Sequence, residues 1–258
     1  MCRRTYSLGV SKRGRVNRRT FLGSVGSVGG LGVLASTTRE PVDDLEVRFW
    51  LSERAAEYAI VDRIADYLGL ALDLENWQVD VSCGGVVPVS IEDGASVTIR
   101  GEWPARLVAG AMGRGPVDPV SDVNLLVTDG DVREAPTGFG VPHVASVGGA
   151  RLLAEVPSSD GRPDPIPYSR PDRVMQVLVH EVGHALGLRH GHGDAYEHGD
   201  GVVATPMLSA YAWDSGYDHR SCCGAVVPET EGRGRKLTYA FSDCARRELE
   251  AYGGGVTP

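Results

Sequence analysis

Five residues at fixed spacing constrain this chain more than anything else in it: His180, Glu181, His184, Gly187 and His190, within His180-Glu181-Val182-Gly183-His184-Ala185-Leu186-Gly187-Leu188-Arg189-His190. Two histidines four apart on a helix present both imidazoles on one face. Glu181 follows the first of them around the helix, close enough to act on a water held there. Gly187 is the residue type that ends a helix in the left-handed conformation, so the chain can turn back and deliver His190 to the same point. Three imidazoles with a fourth position open is the layout of catalytic rather than structural zinc. His-Glu-x-x-His arises by chance in about one chain in a hundred, and the full pattern in roughly one in ten thousand or fewer. A lone histidine would read as a packed core or surface group; this spacing does not.

The pattern requires a helix under it, and the sequence supplies one. Pro171 suits the first turn of a helix, and Val174, Val177, Leu178 and Val182 carry the apolar stripe to Leu186. Upstream, Leu45–Leu51 alternates as a strand. Ser52 is placed to cap a helix with an apolar stripe at Ala56, Ile60, Ile64 and Leu68, ended by Gly69. Trp77–Val81, Val97–Ile99 and Val123–Val127 read as strands, the last apolar enough for a sheet centre. Pro136–Pro142 reads as loop. Val144–Val147 and Ala150–Val156 read as two more strands joined by Gly148-Gly149. Residues 188–238 show little periodicity, and a final helix capped by Ser242 runs to Tyr252. His192 and His198 read as exposed loop residues.

The motif resembles the metzincin zinc peptidases, whose signature is H-E-x-x-H-x-x-G-x-x-H followed by a methionine turn. Thr205-Pro206-Met207-Leu208-Ser209 is the matching turn, and Phe241-Ser242-Asp243-Cys244 looks like the start of the last helix in the reprolysin-type branch. The resemblance implies an α+β fold: a mixed, mostly parallel twisted sheet, a zinc-binding helix, the Met-turn and a C-terminal helix. It implies one catalytic Zn2+ on His180, His184 and His190, Glu181 as the catalytic base, and Gly187 and Met207 as structural residues near the site. Tyr211 stands four residues past Met207, where some members carry a functional tyrosine at an offset of two, and is a candidate transition-state ligand. The substrate edge strand would fall at Gly148, Gly149 and Ala150. The implied activity is endopeptidase cleavage of a peptide or protein. A zinc hydrolase on a non-protein substrate and an inactive binding module on the same fold are the rival readings.

Charge placement suggests two parts. Residues 1–37 hold seven Lys or Arg and no Asp or Glu; the remainder holds 19 basic and 34 acidic residues, a net of −15. Asn17-Arg18-Arg19-Thr20-Phe21-Leu22 followed by a glycine-diluted apolar run to Ala35 resembles a twin-arginine export signal. The expected division is a signal over 1–37 and a metallopeptidase domain over 38–258, secreted or extracytoplasmic and monomeric. Acidity argues against nucleic acid, and no apolar run is long enough for a stable membrane span. Only two of the 26 basic residues are Lys, a bias shared by halophilic proteins and by GC-rich genomes. An oxidising destination suits the four cysteines left after the signal. Cys244 is expected to pair with Cys222 or Cys223, and Cys83 with the other. Asp129-Gly130-Asp131 offers oxygen ligands of the kind calcium takes but lacks an EF-hand loop, so it reads more simply as a solvated turn.

Overall fold

The computed structural model describes residues 5–7, 44–75, 77–132, 137–162, 164–214, 216–217, 221–224 and 226–254. Of the expected signal, only Thr5–Ser7 (β1) is among them. Its backbone pairs antiparallel with β3. Arg18, Arg19 and the apolar run lie outside the described residues.

The chain continues with β2 (Asp44–Ser52), a 3-10 turn (Ala55–Glu57), α1 (Val61–Ala71), β3 (Gln78–Val87), α2 (Gly94–Ile99) and α3 (Glu102–Ala111). Then come β4 (Val123–Val127), β5 (Gly138–Val141), β6 (Val144–Val147), α4 (Ala150–Glu155), β7 (Ile166–Pro167) and α5 (Arg170–Ala185). The last elements are β8 (Ala195–His198), β9 (Gly201–Ala204), β10 (Gly234–Leu237) and α6 (Asp243–Glu250). The first sheet has the order β1-β3-β2-β4-β6-β5. Its β2–β3, β2–β4 and β4–β6 pairings are parallel, and β5 closes the row antiparallel to β6. This is the mixed, mostly parallel sheet that the sequence led us to expect.

Alternating strand residues go to opposite faces. Phe49, Leu125 and Val147 join the large core with α1, α4, α5 and α6. Trp50, Leu126 and Val144 point the other way, into a second core with Trp103 and Leu107 of α3. Both faces of β4 are therefore covered, and all five of its residues are buried. That is why four of its five residues are apolar without alternation, the exception being Asn124, whose buried amide accepts from Val120 N and donates to Val120 O and His143 O.

Four local expectations are corrected. Val97–Ile99 is helical, because the Asp93 carboxylate accepts from Ser96 N and starts a helix there. Ala150–Val156 is helix α4 and not a strand; six apolar-rich residues suit either element, and Gly149 in the left-handed region turns the chain into the helix. Pro136–Pro142 holds strand β5. Gly69 does not end α1, which runs on to Ala71. Ser52 Oγ accepts from Ala55 N and caps the 3-10 turn, one step before α1 itself. The stretch after 188 contributes three strands of a second sheet, β7-β10-β9-β8, all too short to show a period; β7 comes from before α5. Cys223 pairs with Cys244 as one of the two expected options. Cys83 is disulfide-bonded, but not to Cys222, which is a free, exposed thiol.

The start of α5 is pinned by a buried ionic cluster. Ser169 Oγ accepts from Asp172 N. The Asp172 carboxylate takes Arg162 Nη1 at 2.7 Å, Ser169 Oγ at 2.6 Å and Tyr239 Oη at 2.9 Å. Although burial alone would raise it, these donors hold the Asp172 pKa below its ordinary 3.8. The pair therefore stabilises the fold above that value, and the contribution is lost as pH falls below it. Asp172→Ala leaves the half-buried Arg162 without its counter-charge and is expected to cost about 3 kcal/mol at pH 7, the low end for breaking a buried pair. Denaturant melts at pH 7 and pH 3 check this: the gap from wild type should shrink at the lower pH, and a gap that widens there refutes it.

Candidate metal centre

Helix α5 carries the first two ligands, and its end delivers the third. Leu188 N donates to Gly183 O at 2.9 Å, and Gly187 sits at φ +92°. Only a residue without Cβ takes that conformation freely. The chain doubles back into a 3-10 turn, His190–His192, and His190 comes to lie against the helix. Its Nε2 is 3.1 Å from His184 Nε2 and 3.2 Å from His180 Nε2. Among the described residues this is the one group of three or more His, Cys, Asp or Glu side chains whose ligand atoms converge.

The tautomers follow from the other ring nitrogens. His180 Nδ1 lies 2.7 Å from Pro206 O, and His184 Nδ1 lies 2.8 Å from Leu188 O. A carbonyl oxygen only accepts, so both Nδ1 atoms carry the proton and both Nε2 atoms present lone pairs. Such lone pairs facing one point repel unless a cation sits between them. Protonation does not offer an easy alternative. Burial, with the neighbouring His184 charge second, lowers the His180 pKa to about 3. The same two causes in the same order lower His190 to about 4, and burial lowers His184. All three rings are neutral at pH 7, the form that binds metal. The donor set fits a divalent ion of the zinc class, and the three-histidine cluster can coordinate one.

Glu181 is only 6% exposed, and burial raises its pKa to about 8. A cation at the three histidines would draw it back down. Its wall is β5. A Cβ on Gly138 would stand 2.7 Å from Glu181 Cγ. One on Gly140 would stand 2.6 Å from Glu181 O and 2.7 Å from His184 Cβ. The strand thus lies flat on the metal helix with no side chain between them. Gly140→Ala meets backbone rather than a flexible tip, so it is expected to destabilise the protein by about 1–3 kcal/mol. A thermal melt checks this, and an unchanged midpoint would mean the strand can lift away.

Met207 closes the floor. It is 1% exposed, and its Sδ is 2.5 Å from where a Cβ on Gly183 would be, on the turn between the first two histidines. The adjacent Pro206 supplies the carbonyl that orients His180. Met207 therefore packs beneath the centre and holds its turn in place. Asp194 ties the loop after His190 to this turn: Asp194 N donates to Thr205 Oγ1, which donates in turn to Asp194 O. Tyr211 is brought to the site, its ring 4.7 Å from that of His190 and stacked at 4.6 Å on Tyr217. Burial, then the Glu181 charge, raises the Tyr211 pKa, so its hydroxyl stays protonated.

Other expected site residues fall elsewhere. Gly148, Gly149 and Ala150 form the turn into α4, and the strand at the open end of the sheet is β5. Asp129 accepts from Arg151 N and from Tyr58 Oη and pairs with Arg54 at 3.6 Å. It is engaged in holding α4 and the start of the fold, and no metal cluster forms around it among the described residues. His198 is exposed as expected. His192 is not: it is buried, and its Nδ1 accepts from Arg189 N to shape the turn that carries His190. Gly138, Gly140, Gly183 and Tyr217 escaped the sequence reading. The Gly-x-Gly alternation at 138–140 was the available signal, but the flanking prolines made it look like loop.

No family model matches the sequence. Over 82 residues, 31% of this chain, it is 33% identical to the dictomalleins of Burkholderia mallei strain ATCC 23344 and Burkholderia pseudomallei strain K96243. The chain spans about a tenth of the length of these relatives, 11% of each. Among solved structures it overlaps a chaperone–substrate complex at 15% identity and TM-score 0.42, covering 82% of this chain and 34% of that one. It also overlaps an archaemetzincin from Methanopyrus kandleri at 17% identity and TM-score 0.39, covering 80% and 94%. Neither overlap is close enough to define a fold or an activity. What the chain itself establishes is a mixed α+β fold carrying a three-histidine centre able to hold a metal ion.

Proposed function

We propose that this chain is an exported zinc-dependent endopeptidase of metzincin type. The observation that carries the reading is the convergence of three neutral imidazoles beside one buried carboxyl, Glu181. His180, His184 and His190 would hold the zinc. The chemistry zinc supplies when bound is a lowered pKa for water, towards ~7, and polarisation of a carbonyl oxygen. Glu181 takes the proton of the attacking water and passes it to the leaving amine. Tyr211, protonated and beside His190, can donate to the oxygen on which negative charge develops. β5 ends its sheet and seats one face on Glu181, so an extended peptide added to its outer edge would run close to the carboxyl. Such pairing reads direction and little sequence.

The edge is also what favours a peptide over the second reading, a zinc hydrolase acting on another substrate, since three histidines and a glutamate fix only the activation of water. The twin-arginine-like segment at Arg18 and Arg19 is what supports export. The deciding experiment pairs metal analysis of the purified protein with casein hydrolysis in high salt, with and without a chelator. One zinc per chain and chelator-sensitive cleavage is expected. Folded protein without metal would overturn the proposal; metal without cleavage of any polypeptide would transfer it to the non-protein or inactive reading.

A further inference from the structure

Towards its N-terminal end, the face of α5 that carries the centre turns basic. His184, Val177 and Arg173 are the partly exposed residues of the helix from its second turn onward, and Arg170 is exposed. With Glu181 they recur at three- and four-residue spacing, so they line one side. Arg173 and Arg170 border a recess with Val132, Thr137, Val174 and Val177, next to the start of β5. The recess is about 10 Å3, room for one water and not for a side chain. An incoming group would meet Arg173 at the rim.

Arg173 is poorly provided for where it stands. Its Nε is buried and has no hydrogen-bond partner among the described residues. Its neighbour Asp172 is committed to Arg162, Ser169 and Tyr239. The water-sized recess can serve that inner donor, while the partly exposed remainder of the guanidinium, with no ion pair among the described residues and next to the end strand of the sheet, is suited to a carboxylate supplied from outside.

We propose that Arg173 is a specificity-determining residue that selects peptides with an Asp or Glu side chain a few residues from the bond placed at Glu181. This rests on the peptidase reading for its meaning but not for its measurement. Eight residues of helix separate Arg173 from Glu181, about 12 Å along the axis. An extended peptide covers that span in roughly three or four residues.

The test measures binding apart from cleavage. Zinc-loaded Glu181→Gln protein is titrated with fluorescent alanine-based octapeptides that carry one Glu, Gln or Lys two, three or four residues from the centre. The Glu peptide is expected to bind about tenfold more tightly than its Gln twin at one of these positions, with Lys weakest. Adding Arg173→Lys should keep the order, and adding Arg173→Glu should reverse it in favour of Lys. Circular dichroism confirms that each variant is folded. Equal affinities for the three peptides, no binding of any, or an order unmoved by Arg173→Glu would overturn the assignment. Casein cleavage by the zinc-loaded wild type is scored separately. Cleavage without a Glu preference defeats the Arg173 assignment alone, and a Glu preference without cleavage supports Arg173 while defeating the peptidase reading.

Discussion

Glu181→Gln is expected to lower casein hydrolysis by about 10²–10⁴-fold while the protein keeps its metal. The amide fills the same space between α5 and the two glycines of β5, and it touches none of the three ring nitrogens that converge. What it lacks is the capacity to take a proton. The same variant makes a second, independent forecast in metal-free protein. The Glu181 pKa is raised from 4.5 to about 8 because the charge is buried. Between those values the unfolded chain has released a proton that the folded chain retains, so wild-type stability falls as pH rises through that window. Metal-free Glu181→Gln should escape this fall and be the more stable protein at pH 8. Near-normal hydrolysis by the variant would remove Glu181 from the chemistry, and identical melting curves at pH 8 would mean the carboxylate is better solvated than its burial implies.

His184→Ala should strip the centre of its metal. The remaining His180 and His190 leave a two-nitrogen site, and loss of a ligand costs more than the 10–100-fold typical of losing a group that merely orients one. Metal content should fall from one ion per chain to near zero after dialysis, with hydrolysis falling alongside it. His192→Ala provides the contrast. That ring shapes the turn through Arg189 N and does not join the three nitrogens, so its loss should weaken the metal without abolishing it. Equal metal retention in His184→Ala and wild type would show that the ion sits elsewhere.

The parts of this molecule that were readable in its sequence are those where one local rule decides. Proline, an apolar stripe and a left-handed glycine define α5 within a few residues, and the histidine spacing then places the ligands without knowledge of anything else. Met207 and Tyr211 were reachable only through the family resemblance, because nothing in their own neighbourhood says that they approach a helix more than twenty residues earlier. The elements misread were decided by partners remote in sequence. Ala150–Glu155 is short and apolar enough for a strand, and it is a helix because the left-handed Gly149 turns the chain out of the extended path of β6. Gly138–Val141 has two glycines and a single β-branched residue, Val141, which is weak strand character. It is a strand because β6 supplies its hydrogen bonds and α5 tolerates nothing larger than glycine against Glu181 and His184. α3 was missed altogether, although Trp103 and Leu107 are among the most buried residues of the second core.

The seating of Gly138 and Gly140 directly on α5 bears on how this chain can diversify. With hydrogen atoms as the only spacers, the gap between the strand edge and the histidine helix is a fixed gauge: side chains cannot widen it by small steps, and any replacement is an abrupt jump. Descendants of this sequence that acquire new preferences are therefore expected to keep both glycines and to vary the opposite bank, around Tyr211 and Tyr217, and the basic approach at Arg170 and Arg173. Selection would act on one wall of the channel while the other stays constant.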